Sequence, residues 1–184
     1  MPSEFRLRLA AARLRRGGII AYPTEGVFGL GCNPLDRESV LRLLALKQRP
    51  TAKGLVLIAA EFTQLEPYLD IPTELMRNRV LATWPGPVTW IIPAADWVPA
   101  WLTGEHAGLA VRVTAHPVAA ALCLAFGRPI VSTSANPSGL PPARTALSVR
   151  KYFRDGSVMI VPGQLGELRG PTAMYDASTG VRLR

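Results

Sequence analysis

The chain is short of the residues that build stapled or metal-centred proteins. It has two cysteines, Cys32 and Cys123, far apart and without paired spacing. That is no disulfide framework, and it reads as two reduced cytosolic thiols. Of the two histidines, His106 and His116, neither has metal-ligand spacing with a cysteine or with the other, which argues against a zinc site. No segment reaches the roughly 18 consecutive apolar residues of a membrane span. Met1 to Arg16 carries five arginines but lacks the ~7–15-residue apolar run of a secretory signal. Glu4 and the direct run into a strand argue against a transit peptide. Three chemical signatures are missing as well: the G-x-x-x-x-G-K-[ST] phosphate loop, the G-x-G-x-x-G dinucleotide fingerprint and the G-x-S-x-G nucleophile elbow. A soluble cytoplasmic protein without a nucleophilic serine and without a resident metal is expected.

What is present is a core and an excess of positive charge. The chain has 184 residues, 48% of them hydrophobic, enough to bury a core without staples and too apolar for disorder. One domain spanning residues 1–184 is expected. The net charge of +8 fits an anionic partner, nucleotide or nucleic acid. It also fits a chain that uses arginine as its default surface cation, so charge alone does not decide.

Residues 3–16 read as a helix with Ser3 as N-cap, stopped by Gly17-Gly18. Ile19 to Tyr22 is a short buried strand. The following Gly26-Val27-Phe28-Gly29-Leu30-Gly31 places three glycines in six residues, read as tight turns and a close approach by another group. Asp36 caps a helix to about Gln48. Val40, Leu43 and Leu44 form its apolar face, and Lys47 continues the same series. Pro50 disfavours helical geometry at Arg49, so Lys47 to Arg49 is expected to leave the helix extended, both cations on one side of a loop edge. Leu55 to Ala59 is a strand preceded by Lys53. Helices follow at 61–69 and 73–83, a strand at Val88 to Pro93 and a loop at 96–105. Leu109 to Val113 is a strand whose buried face excludes Arg112, and an arginine there needs a partner. His116-Pro117 starts a helix to Phe126. Pro129 to Thr133 is a strand, 145–153 a helix, and 158–161, 172–175 and 181–183 short strands. Alternating elements followed by short strands give an α/β class with a mixed sheet.

Two stretches stand out chemically. Lys47-Gln48-Arg49-Pro50 puts two cations at a helix end. Ser132-Thr133-Ser134-Ala135-Asn136 puts hydroxyls and an amide at a strand end, where α/β sheets bind ligands. Together they read as two walls of an anion site. The plainer alternative is that Lys47 and Arg49 complement a helix C-terminus, worth about 0.3–1 kcal/mol. For Arg112 it is a structural salt bridge.

In order along the chain, Tyr22-Pro23-Thr24-Glu25, Leu46-Lys47-Gln48-Arg49-Pro50, Trp84-Pro85-Gly86-Pro87-Val88-Thr89, Ala110-Val111-Arg112-Val113 with His116-Pro117, and Ser132 to Asn136 with Ser138-Gly139 resemble the YrdC-type threonylcarbamoyl-AMP synthases, in their short bacterial form without an extra C-terminal domain. The resemblance runs from about residue 8 to the end. It implies a single-domain YrdC-like fold: a twisted mixed sheet flanked by helices, with a concave basic cavity. It implies conversion of L-threonine, bicarbonate or CO2 and ATP, with Mg²⁺ accompanying ATP, to threonylcarbamoyl-AMP and pyrophosphate. A downstream transferase complex would then carry the threonylcarbamoyl group to tRNA. By the same resemblance Lys47, Arg49, Ser134 and Asn136 are the catalytic signature. Thr24, Arg112, Ser132 and Thr172 hold threonine, and Arg49, Lys53, Ser134 and Arg184 lie on the nucleotide side. The chain departs from many members at Pro141-Pro142 and Thr172-Ala173. A second reading uses the basic concavity to bind double-stranded RNA or tRNA without catalysis. A third, a carbamoyl-adenylate module for metal-centre maturation, is disfavoured by the chain's length.

Overall fold

A computed structural model describes all 184 residues. Eight strands form one mixed sheet: β1 (Ile19–Pro23), β2 (Phe28–Gly31), β3 (Val56–Ala59), β4 (Val88–Pro93), β5 (Gly108–Val113), β6 (Ile130–Ser134), β7 (Val158–Ile160) and β8 (Ala173–Asp176). Their order is β7-β1-β2-β6-β3-β5-β4-β8. The pairs β1/β7, β3/β5 and β4/β8 are parallel and the rest antiparallel.

Side-chain alternation along the strands divides the interior into two layers. Ile19, Ala21, Leu30, Leu57, Val111 and Val131 face one layer. It is filled by Val40, Leu43 and Leu44 of α2 (Arg37–Lys47) and by Met76 and Val80 of α4 (Glu74–Leu81). Ile20, Tyr22, Ile58 and Ile130 face the other. There Ala10, Ala11 and Leu14 of α1 (Glu4–Arg15) and Val118, Leu122 and Phe126 of α6 (Pro117–Phe126) cover them.

The register shows where that second layer stops being apolar. Val56 pairs with both Ser132 and Ala110, and Ile58 with both Ile130 and Arg112. Directly paired residues share a face. Ser132 and Arg112 therefore lie on the α1/α6 face, continuing it past the apolar cover. That row of polar side chains forms the floor of the candidate site. The segment between β7 and β8 crosses the same face as an irregular strap. Gly166 N–H donates to Thr24 O at 3.0 Å and Leu168 N–H to Glu25 O at 2.9 Å.

Most elements follow the expected pattern, with caps at Ser3, Asp36, Thr73, His116 and Thr145. Four elements differ from it. Phe28–Gly31 is not a set of turns but β2, inside the sheet, because its main chain pairs with β1 on one side and β6 on the other. The 61–69 helix is one α-turn (α3, Phe62–Leu65) followed by a 3-10 turn at Glu66–Tyr68, with Pro67 at the change. The 96–105 loop contains a one-turn helix, α5 (Ala100–Thr103), anchored by buried Leu102. Val181 to Leu183 forms no strand, only the single bridge of Tyr175 to Arg182. The remaining helix is α7 (Ala146–Tyr152).

At Gly31 a Cβ would meet Val131 O at 2.7 Å and the Tyr22 ring at 2.9 Å. Both neighbours are packed and one is backbone, so neither yields easily. Gly31→Ala is expected to lower stability by about 1–3 kcal/mol, read as a lower urea midpoint at unchanged slope; an unchanged midpoint would show that the sheet gives way there at no cost.

Candidate active site

The site begins with a lysine that the helix buries. The series Val40, Leu43, Leu44, Lys47 puts Lys47 on the apolar face of α2, and its residue exposure is 3%. Its ammonium donates to Asn136 O at 2.8 Å and also to Ser134 O. Ser138 N–H returns a bond to Lys47 O at 2.7 Å. The end of α2 and the loop after β6 are thereby joined through three hydrogen bonds.

The expected extended exit from α2 does not occur. Gln48 adopts the left-handed conformation at φ 50°. Arg49 N–H bonds back to Leu44 O at 3.0 Å, a helix-terminating turn. Pro50 still ends the helix, but through a reversal that sends Lys47 and Arg49 in different directions. Lys47 is therefore not at a loop edge; it is buried and points inward. Arg49 is half-buried and donates to Gly54 O at 2.9 Å and Lys53 O at 3.3 Å. Lys53 is exposed. Burial, and secondarily the nearby Arg184 charge, hold the Arg49 pKa below its usual value.

Arg112 is the second centre, with its side chain 7% exposed. Its Nη2 pairs with Glu25 Oε2 at 3.3 Å. Its Nη1 donates to Thr172 Oγ1 at 3.0 Å and Thr89 Oγ1 at 3.3 Å. Glu25 Oε1 accepts from Thr114 Oγ1 at 2.6 Å, and Thr114 Oγ1 accepts from His116 N–H at 3.1 Å. His116 Nδ1 accepts the Ala119 N–H that caps α6, so Nε2 carries the ring proton and donates it to Gln164 O at 3.0 Å. Thr24, 7% exposed, donates to Val27 O at 2.7 Å. Ser132 is buried on β6, two residues before Ser134.

The two centres are connected. Thr172 is bonded to Arg112, its carbonyl accepts from Arg184 Nη2 at 3.2 Å, and Arg184 lies close enough to Arg49 to act on its charge. Arg112, Thr172 and Arg184 thus form a bonded series from the residues expected to hold an amino acid to one expected to hold a nucleotide. Lys47, Ser134 and Asn136 form its other wall. Glu25, Thr89 and Thr114 were not foreseen. Arg112's need for a partner was visible, but nothing in the spacing pointed to Glu25, some ninety residues away.

The site has an unusual accounting of polar groups. Four buried side-chain polar atoms lack a hydrogen bond: Glu25 Oε2, Arg49 Nε, Arg112 Nε and Asn136 Oδ1. All four belong to this site. Such atoms cost about 1–3 kcal/mol each and are rare in native structures. No group of three or more His, Cys, Asp or Glu side chains could hold a metal ion. Cys123 is buried, which pushes its thiol up to about 12, and burial raises Cys32 too. Thiolate chemistry is therefore suppressed. A separate cavity of about 600 Å³, lined by Arg13, Arg16 and Arg42 among others, lies between α1, α2 and the start of β7. There Arg13 donates to Ser157 O and Arg42 to Gly17 O, so two of its arginines satisfy loop carbonyls. No helix is long and apolar enough to cross a membrane.

Burial, and then the Arg49 charge, push the Lys47 ammonium from 10.5 down to about 8, while its carbonyl partners act the other way. Between these values the unfolded chain holds a proton that the folded protein has released, so stability at this position rises with pH from about 8 to 10.5. Lys47→Met removes that titration and leaves the Asn136 carbonyl unpaired, at about 1–3 kcal/mol, while Ser134 O keeps the Asn136 N–H at 3.0 Å. The variant is expected to be less stable near neutrality, by a deficit that widens through the same pH window. Chemical denaturation of both proteins at several pH values checks this; a constant deficit would mean that Lys47 stays protonated throughout.

Comparison with known proteins follows the same outline. The family described as "Telomere recombination" (Sua5–YciO–YrdC) matches residues 12–181. Threonylcarbamoyl-AMP synthase of Halorhodospira halophila is 55% identical over 181 residues, covering 98% of this chain and 94% of that protein. That of Nitrosococcus oceani is 54% identical, covering 98% of both. Among solved structures, P. abyssi Sua5 complexed with L-threonine superposes with a TM-score of 0.87 at 35% identity over 95% of this chain. The chain spans about half of that protein, 51% of its length. E. coli YciO gives 0.83 at 27% identity, covering 96% of this chain and 85% of that one.

Proposed function

The chain belongs to the Sua5–YciO–YrdC family, and from that premise we propose that it is an enzyme, a threonylcarbamoyl-AMP synthase that transfers the adenylyl group of ATP to N-carboxylated L-threonine. The observation that carries the reading is the set of unpartnered buried atoms. Arg112 Nε, Arg49 Nε and Asn136 Oδ1 are two donors and an acceptor that the protein leaves without a partner, in a site built around cations and hydroxyls.

The threonine amine adds to CO2 and loses a proton, giving a carbamate; with bicarbonate the same product forms with loss of water. A carbamate oxygen attacks the α-phosphorus of ATP, and the bond to the β-phosphate oxygen breaks. Threonylcarbamoyl-AMP and pyrophosphate result. Such a transfer needs positioned reactants and stabilised charge rather than an enzyme nucleophile. In this reading Arg112 takes the threonine carboxylate, since a guanidinium pairs bidentately with a carboxylate. Thr24, Ser132 and Thr172 are the hydroxyls near it. Arg49, Lys53 and Arg184 provide charge for the triphosphate, and Ser134 and Asn136 line the nucleotide wall. Lys47 acts from beneath by holding the carbonyls of Ser134 and Asn136. Mg²⁺ would enter as the counter-ion of ATP, bound by the phosphates, since no carboxylate cluster offers it a resident site. The product, a mixed anhydride, calls for a transferase that passes the threonylcarbamoyl group to an acceptor nucleoside in tRNA.

Pyrophosphate release from ATP and Mg²⁺ in bicarbonate buffer is expected to require L-threonine, with serine and valine much poorer. Arg112→Lys loses a bidentate, charge-assisted contact and is expected to raise the threonine KM by about 10- to 100-fold. Pyrophosphate release independent of threonine, or unchanged kinetics in Arg112→Lys, would refute the assignment.

A further inference from the structure

Glu25 has no role in the scheme above, yet it is a buried acid at the centre of the site. Its side chain is 11% exposed and touches Arg112 at 3.3 Å. Thr114 holds its other oxygen at 2.6 Å. A backbone bond at 3.1 Å fixes Thr114 to His116, whose ring spans from the first turn of α6 to the strap at Gln164. The strap in turn bonds the Glu25 carbonyl through Leu168. A charged side chain is seldom anchored from so many elements unless its exact direction has a use.

We propose that Glu25 is a positioning residue for the amino-acid substrate: held by Thr114, it fixes the Arg112 guanidinium against Thr89 and Thr172 so that its remaining donors meet the substrate carboxylate. The proposal rests on the synthase reading. A guanidinium on a flexible stem pairs bidentately only when its plane is set. Here an ion pair to Glu25 Oε2 and hydrogen bonds to Thr89 Oγ1 and Thr172 Oγ1 set it from two sides. Arg112 Nε is left without a partner. Both carboxylate oxygens of Glu25 are occupied by protein partners, Arg112 and Thr114, which suits a group that acts through Arg112 and not on the substrate.

Charge and position make opposite demands here, so a single substitution separates them. Glu25→Gln keeps the shape and can still accept from Thr114, but it removes the negative charge and turns an amide donor toward Arg112. If Glu25 merely competed with the substrate for Arg112, the variant would bind threonine more tightly. If it positions Arg112, the variant binds threonine more weakly.

The experiment is steady-state pyrophosphate release by the full chain with threonine and ATP varied separately, and a thermal melt of each variant. The wild-type protein comes first: absence of threonine-dependent release there refutes the synthase reading itself. Given that activity, Glu25→Gln is expected to raise the threonine KM about tenfold or more while the ATP KM stays within about twofold. Thr114→Val should move the threonine KM in the same direction, and Thr114→Ser, which keeps the hydroxyl, should restore it. The threonine pair of variants decides the matter even where Glu25→Gln fails to fold. An unchanged or lowered threonine KM, or equal rises in both KM values, overturns the proposal.

Discussion

The buried ammonium of Lys47 joins the two halves of the site. A lysine at 3% exposure with no carboxylate in contact is an expensive choice, because a charge removed from water is ordinarily paired. Its partners are main-chain carbonyls at Ser134 and Asn136. Those carbonyls turn inward to meet it, and the Asn136 side-chain amide holds the same loop by donating to Pro137 O and Leu140 O. The apolar series on α2 fixes where Lys47 stands, and the sheet fixes where β6 ends. The lysine makes the two agree. A helix on one face of the sheet thereby sets a loop whose upper surface belongs to the other face.

The second constraint is the ordering of Arg112. The sheet supplies it by register: Arg112, Ser132 and Thr89 share a face because their strands pair in a mixed order, and α1 and α6 stop short of that row. What would be an apolar core position thus becomes the floor of a polar site. The floor is closed by segments remote in sequence, the Pro23–Gly26 turn and the strap from β7 to β8. Thr172 sits where the strap becomes β8 and bonds both Arg112 and Arg184. Hydrogen bonds thus run from Arg112 through Thr172 to Arg184, and a like charge brings Arg184 into electrostatic range of Arg49.

Much of this was legible in the chain. The strand carrying Arg112 was plain from alternation, the caps at Asp36, Thr73 and His116 from residue type, and the Lys47 and Ser134 motifs from their positions after regular elements. Three things were hidden for physical reasons. β2 was masked by Gly29 and Gly31, since glycine is a poor strand former in isolation; the tertiary neighbours Tyr22 and Val131 make it acceptable. The direction of Lys47 depended on Gln48 taking a left-handed conformation, and a glutamine gives little local signal for that. The Glu25–Arg112 pair depended on the turn after β1 reaching across the sheet face to β5, although β2, β6 and β3 lie between the two strands, and no local pattern encodes that.

The excess positive charge also resolves into separate uses. Arg13 and Arg42 donate to carbonyls around the first β-strand, where arginine completes the ends of helices and loops. Lys47 does the same for the loop after β6. Arg49, Arg112 and Arg184 are different: each has acceptors in the protein, but Arg49 and Arg112 also retain a buried N–H without one. Five donors in a planar fork can satisfy the protein and still offer an edge to an anion. A lysine at either position would have to choose between these tasks. That is the physical reason for guanidinium, and not ammonium, wherever this site both holds its own shape and meets a ligand.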